Sequence, residues 1–148
     1  MRKIINFLCL CLCVPAIAIG APINPFMTDG CSSFPDGTIR QQSLWLNCCI
    51  RHDIEYWKGG TYQQRLAADH ALEQCVVNVG EAKIARLMLA GVRVGGSPYF
   101  PTPYRWGYGW PYMRGYKALN EEETADVERK LEMLTIKGKS VIAPLNAE

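Results

Sequence analysis

Residues 48–56 read CCIRHDIEY: two adjacent cysteines, a His-Asp pair three residues on, and a tyrosine four beyond the histidine. Laid on a helix at about 100° per residue, Cys48, Cys49, His52, Asp53 and Tyr56 fall within one arc of about 140°. All five therefore face the same neighbour. The helix is expected to begin near Ser43, to run through Trp45, Leu46 and Ile50 to about Lys58, and to stop at Gly59-Gly60, where one glycine supplies a left-handed cap.

The neighbour follows at once. Thr61-Tyr62-Gln63-Gln64 fits a capping box, a hydroxyl residue with Gln three places later, and opens a second helix carrying Leu66, Asp69, Leu72, Cys75 and Val76. So short a link predicts an antiparallel hairpin. In such a pair, advancing four residues from Cys48 reaches His52, and retreating six from Cys75 reaches Asp69. One register thus serves both a Cys48–Cys75 bridge and a His52–Asp69 hydrogen bond. Cys49 is left for Cys31, which would staple a glycine-containing loop to the same helix.

That pairing depends on what precedes it. Arg2-Lys3, the apolar run from Ile4 to Val14 and the small residues near Ala18 and Gly20 read as a secretory signal peptide over residues 1–20, leaving one domain over residues 21–148. The apolar run is short against the ~20 residues of a bilayer span. Removing the leader removes three of the seven cysteines and two of the 16 basic residues, leaving four cysteines and 14 charges of each sign. Four cysteines in an exported domain make two disulfides with three formal connectivities. Near neutrality argues against a nucleic-acid partner held by phosphate contacts. A zinc site is disfavoured, because adjacent Cys48 and Cys49 would not easily reach one tetrahedral ion.

Beyond the hairpin, Glu81 to Leu89 predicts a third helix, and Asn120 caps a last one whose first turn holds Glu121, Glu122 and Glu123, expected as a solvated acidic turn. Ile142 to Glu148 reads as a loose tail. Between the last two helices lies SPYFPTPYRWGYGWPY, residues 97–112, too broken by proline and glycine for helix or strand. It completes the core or offers Trp106, Trp110 and Arg105 to a lipid–water boundary. The expected fold is all-α: a small disulfide-stapled antiparallel helical hairpin with a loop-rich aromatic segment and a C-terminal helix.

The chemistry of the hairpin is coherent. A histidine oriented by a carboxylate is held in one tautomer, and its other nitrogen can take a proton from water. Asp53 points beside it, free to hold a hard cation with loop oxygens from Gly30 and its neighbours. His70, turned 100° from Asp69, is not expected to act as a base. Asp29 and Asp36 read first as turn residues.

At this point the chain resembles a family. CCIRHDIEY is similar to the active-site helix of secreted phospholipase A2, in which Cys-Cys is followed after two residues by His-Asp and then by Cys-Tyr. The resemblance covers residues 29–77, including the six-residue spacing from Asp69 to Cys75. It implies that His52 is the general base, Asp69 its partner, Tyr56 the supporting tyrosine and Asp53 a Ca2+ ligand, with Gly30 and Ser32 near the ion. It implies a phospholipid membrane surface as partner, and the leader predicts a secreted or periplasmic location. The chain departs from the family pattern at Glu55, where a third cysteine would stand, and in GCSSFPDG, residues 30–37, which replaces a glycine-rich calcium loop. The alternative is a catalytically inactive relative, using the stapled hairpin to bind lipid or protein at a cell envelope.

Overall fold

The computed structural model describes residues 21–137; the expected signal peptide and the C-terminal tail lie outside the described residues. Four helices and no strand are present among them: α1 (Leu46–Lys58), α2 (Tyr62–Asn78), α3 (Ala82–Gly95) and α4 (Glu121–Lys137). The fold is the expected all-helical one.

The hairpin turns on Gly59 and Gly60. Gly59 has φ +67°, and a side chain there would press on the Cα of Gly107 at 2.8 Å, so the position requires glycine for conformation and for space. Thr61 then opens α2 with both arms of the capping box formed. Bridges Cys48–Cys75 and Cys31–Cys49 hold α1 to α2 and to the preceding loop, with Cα separations of 5.7 and 5.1 Å. Their loops of 27 and 18 residues correspond to about 3 kcal/mol each by chain entropy. Trp45, Leu72, Val76, Ala85 and Met88 pack around them as one core.

Helix α1 starts three residues later than expected. Residues before it are drawn into the loop instead: Trp45 N–H donates to the Asp36 carbonyl at 3.0 Å and Trp45 Nε1 to the Pro35 carbonyl at 2.6 Å. Helix α3 runs six residues further, through Gly91. Its late carbonyls, Val92 and Arg93, each accept from Arg65 Nη2 at 2.8 Å. Val92 also takes the Gly96 N–H at 2.9 Å, and the Arg93 carbonyl is one that the helix end leaves without a backbone donor.

The aromatic segment belongs to the core. Trp106 and Trp110 are each 2% exposed, and Arg105 is buried. This corrects the expectation that these three meet lipid. The reason lies at the end of α1, whose last carbonyls lack helical partners. Trp106 Nε1 donates to the Gly60 carbonyl at 2.9 Å and Trp110 Nε1 to that of Lys58 at 2.7 Å. The backbone N–H groups of Gly107 and Gly109 take Tyr56 and Trp57. Arg105 donates to the Trp110 carbonyl at 2.8 Å, and Arg114 lies over the Trp110 ring, 4.3 Å from its centroid. Ile23, Trp57, Trp110 and Val127 form a second core that attaches α4.

The glutamate run is not simply solvated. Glu123 and Asn120 cap each other reciprocally. Both Glu123 oxygens also accept from Arg114, at 2.7 and 2.8 Å. Glu121 and Glu122 are exposed.

Candidate active site

The register inferred for the hairpin places His52 against Asp69. His52 Nε2 lies 3.1 Å from Asp69 Oδ1, and both residues are buried. A carboxylate accepts only, so Nε2 carries the hydrogen and Nδ1 is left as the acceptor. Among the described residues Nδ1 has no protein partner. Tyr56 Oη donates to the same Asp69 oxygen at 2.7 Å, and its ring lies 4.2 Å from the imidazole. Burial, then the Asp69 charge, pushes the Tyr56 hydroxyl far above its ordinary range, so it stays a donor.

Two arginines absent from the sequence reading converge on this carboxylate. Arg93 Nε sits 2.8 Å from Asp69 Oδ2 and Arg65 Nε 3.9 Å from it. Neither N–H is aimed down the line as a hydrogen bond, so these are charge contacts. Arg65 spends its donors on Tyr56 Oη, Tyr116 Oη and the two α3 carbonyls. A fully buried aspartate with two cations beside it is electrically compensated before the histidine is counted. Their only signal in the sequence was position. Arg65 lies one turn before Asp69, and Arg93 is on a helix whose approach the periodicity could not fix.

Asp53 has no comparable compensation. Its Oδ2 accepts from Thr28 Oγ1 at 2.6 Å, and Gly30 N–H donates to the same hydroxyl at 3.0 Å. Burial pushes its carboxyl up to about 6, against the lowering by Thr28 and His52 and with a further rise from Asp29. Tyr108, whose hydroxyl donates to the Met27 carbonyl at 2.6 Å, feels Asp53 and Asp29 together. The loop is folded on itself: Cys31 N–H donates to Asp36 Oδ1 and Ser32 Oγ to Asp29 Oδ1, both at 2.7 Å. Gly30 has φ +81°, and a side chain there would overlap Asp36. Asp29 and Asp36 are turn acceptors, as expected, and His70 is exposed beside Glu73.

His52, Asp53, Gly30 and Ser32 line one cavity of about 340 Å³. Its remaining walls are largely apolar, with Phe34 from the loop, Leu72 from α2, and Leu87 and Met88 from α3. A histidine with a free ring nitrogen, a desolvated carboxylate and an apolar chamber therefore share one space. The lipid residues expected from the sequence, Trp106, Trp110 and Arg105, do not line it.

No group of three or more His, Cys, Asp or Glu side chains suited to a metal occurs among the described residues. A hard cation is held largely by backbone and hydroxyl oxygens, and the buried, undercompensated carboxylate of Asp53 beside the Thr28–Ser32 loop fits such an ion in donor chemistry. No protein-family model, curated protein or solved structure matches the chain.

Proposed function

We propose that the chain is a calcium-dependent acyl hydrolase of the phospholipase A2-like kind, acting on phospholipid at a membrane surface in a secreted or periplasmic setting. The observation that carries this reading is the His52–Asp69 pair opening into an apolar cavity beside Asp53. Two disulfides suit an oxidising compartment. No helix among the described residues is long and apolar enough to cross a membrane.

In this mechanism an ester lies in the cavity with its acyl chain against Leu72, Leu87 and Met88. His52 Nδ1 takes a proton from a water molecule, and the oxygen attacks the ester carbonyl. Asp69 holds the ring through Nε2 and stabilises the imidazolium. The imidazolium then returns the proton to the leaving alkoxide, giving a fatty acid and a lysolipid. Tyr56, Arg65 and Arg93 fix Asp69, and of the three only Tyr56 also lines the cavity. Asp53, with oxygens of Thr28, Gly30 and Ser32, would hold Ca2+, which supplies polarisation of the carbonyl and stabilisation of the oxyanion.

The test is release of fatty acid from mixed phospholipid vesicles by the oxidised protein, with calcium, with chelator, and with His52→Ala. Release that needs both calcium and His52 supports the hydrolase. No release from folded protein under any condition overturns it for these lipids. The second reading, an inactive lipid- or protein-binding module, draws on the loop hydrogen bonds that already occupy Asp29, Asp36 and Thr28. Unchanged vesicle binding by wild type and His52→Ala, without hydrolysis by either, would favour it.

A further inference from the structure

The chain is neutral in bulk but not in distribution. From Ala82 to Asn120 it holds Lys83, Arg86, Arg93, Arg105, Arg114 and Lys117 and no acidic residue. Arg93 is spent on Asp69, Arg105 is buried, and Arg114 is paired with Glu123. Lys83 and Arg86 are exposed on α3, with no ion-pair partner among the described residues. They share a helical arc of about 140° with Leu87, Ala90, Gly91 and Val94, all of them exposed. Leu87 is 58% and Val94 74% exposed, high for large aliphatic side chains on a packed helix.

The loop after α3 continues this surface. Tyr99, Phe100 and Tyr104 are exposed, and Tyr112 Oη ties Tyr112 to the Tyr99 carbonyl at 2.6 Å. Leu87 and Tyr104 belong both to this surface and to the cavity lining. Leu87 and Tyr104 therefore join the cavity to this surface, on whose helix Lys83 and Arg86 stand unpaired.

We propose that the outer face of α3 and the Tyr99–Tyr104 loop dock on the surface of an anionic phospholipid bilayer, presenting the cavity mouth to it; the inference rests on the hydrolase reading for its substrate but not for its binding. Charge selects the occupant. An acid-free stretch of chain with Lys83 and Arg86 unpaired favours an anionic leaflet, and tyrosine and phenylalanine suit the headgroup boundary. Continuity with the cavity gives the contact its use, since a lipid leaving the bilayer there enters without crossing water.

The experiment sediments the protein with vesicles of ether-linked phosphatidylglycerol and phosphatidylcholine, which carry no ester, in chelator. Wild type is expected to bind anionic vesicles at least tenfold more tightly than pure phosphatidylcholine. Lys83→Gln with Arg86→Gln should weaken anionic binding by about thirtyfold, and Val94→Ser with Phe100→Ser should weaken both. Neither double variant should change hydrolysis of a monomeric short-chain ester. Equal binding to both vesicle types, or binding indifferent to all four substitutions, overturns the proposal. So does a wild-type dimer, broken by Val94→Ser with Phe100→Ser, that ignores vesicles. Composition-dependent binding without hydrolysis of any ester upholds the docking surface and removes the hydrolase reading instead.

Discussion

Arg93 Nε stands 2.8 Å from Asp69 Oδ2 while His52 Nε2 stands 3.1 Å from Oδ1, so one carboxylate is shared between a permanent cation and the candidate base. The arginine settles the buried charge whether or not the histidine is protonated. The hydrogen bonds that orient the carboxylate come instead from His52 and Tyr56, both on Oδ1.

Arg93→Met should therefore cost about 1–2 kcal/mol of stability, moderated because the side chain is partly exposed. Fatty-acid release should fall about tenfold in kcat with little change in KM. Arg93→Lys should restore most of the stability and only part of kcat, since it returns the charge without the planar group that Nη2 anchors on the Leu66 carbonyl. Denaturant unfolding and steady-state kinetics on the three proteins test this. A KM effect alone would place Arg93 in substrate binding.

Asp53 should weaken the metal-free fold. Its carboxyl is raised to about 6, so the folded state resists an ionisation that the unfolded chain completes near 3.8. The penalty is absent below pH 4, grows between 4 and 6, and is constant above, at about 2–3 kcal/mol. In chelator at pH 7, Asp53→Asn should unfold at higher denaturant than wild type, with the gap closing towards pH 4. The same variant should lose calcium-dependent stabilisation and fatty-acid release. A wild-type midpoint independent of pH across 4 to 6 would refute the account.

Glu123 works in the opposite direction. Hydrogen bonds from Arg114 hold its carboxyl down at about 2. Its contribution is complete above about 4.5 and is lost as pH falls towards 2. Glu123→Gln should cost about 1–2 kcal/mol at pH 7, given a bidentate pair with both side chains 12% exposed. The difference should shrink steadily below pH 4.5. Thermal melts at pH 7, 4 and 3 measure it.

The two disulfides should separate stability from function. Replacing Cys48 and Cys75 with serine loosens the hairpin itself, and replacing Cys31 and Cys49 frees the loop that carries Gly30 and Ser32. Each double variant should lose about 3 kcal/mol. At a temperature where both remain folded, the Cys31–Cys49 variant should show the larger loss of calcium affinity in calorimetry. Equal calcium affinities would mean that the loop does not hold the ion.

Much of the site was legible because it lies on two consecutive helices joined by a three-residue link. Helical periodicity fixes which side chains of each face the partner, and the cysteine pair fixes the register. The His52–Asp69 contact and the Cys48–Cys75 bridge follow from spacing, the Cys31–Cys49 bridge from the two cysteines left over, and the support that Tyr56 gives Asp69 from the family resemblance. Arg65 and Arg93 did not, because their roles depend on how α3 lies across α2. The extension of α3 through Gly91 was equally hidden, since local propensity opposes a helical glycine and the carbonyls beyond it are satisfied by Arg65 on another helix.

The sequence by itself determined the helical class, the hairpin, the capping box of α2 and the staples, all products of interactions within a few turns or across one tight link. The C-cap of α1 at Gly59, with φ +67° and ψ −158°, is not the left-handed one expected. Tertiary structure alone decided the fate of the aromatic segment. Seven aromatics between residues 99 and 112 have the same local character whether they wrap a core or face a membrane. The unpaired carbonyls at the end of α1 drew Trp106 and Trp110 inward, while Tyr99, Phe100 and Tyr104, beyond reach of those acceptors, stayed at the surface.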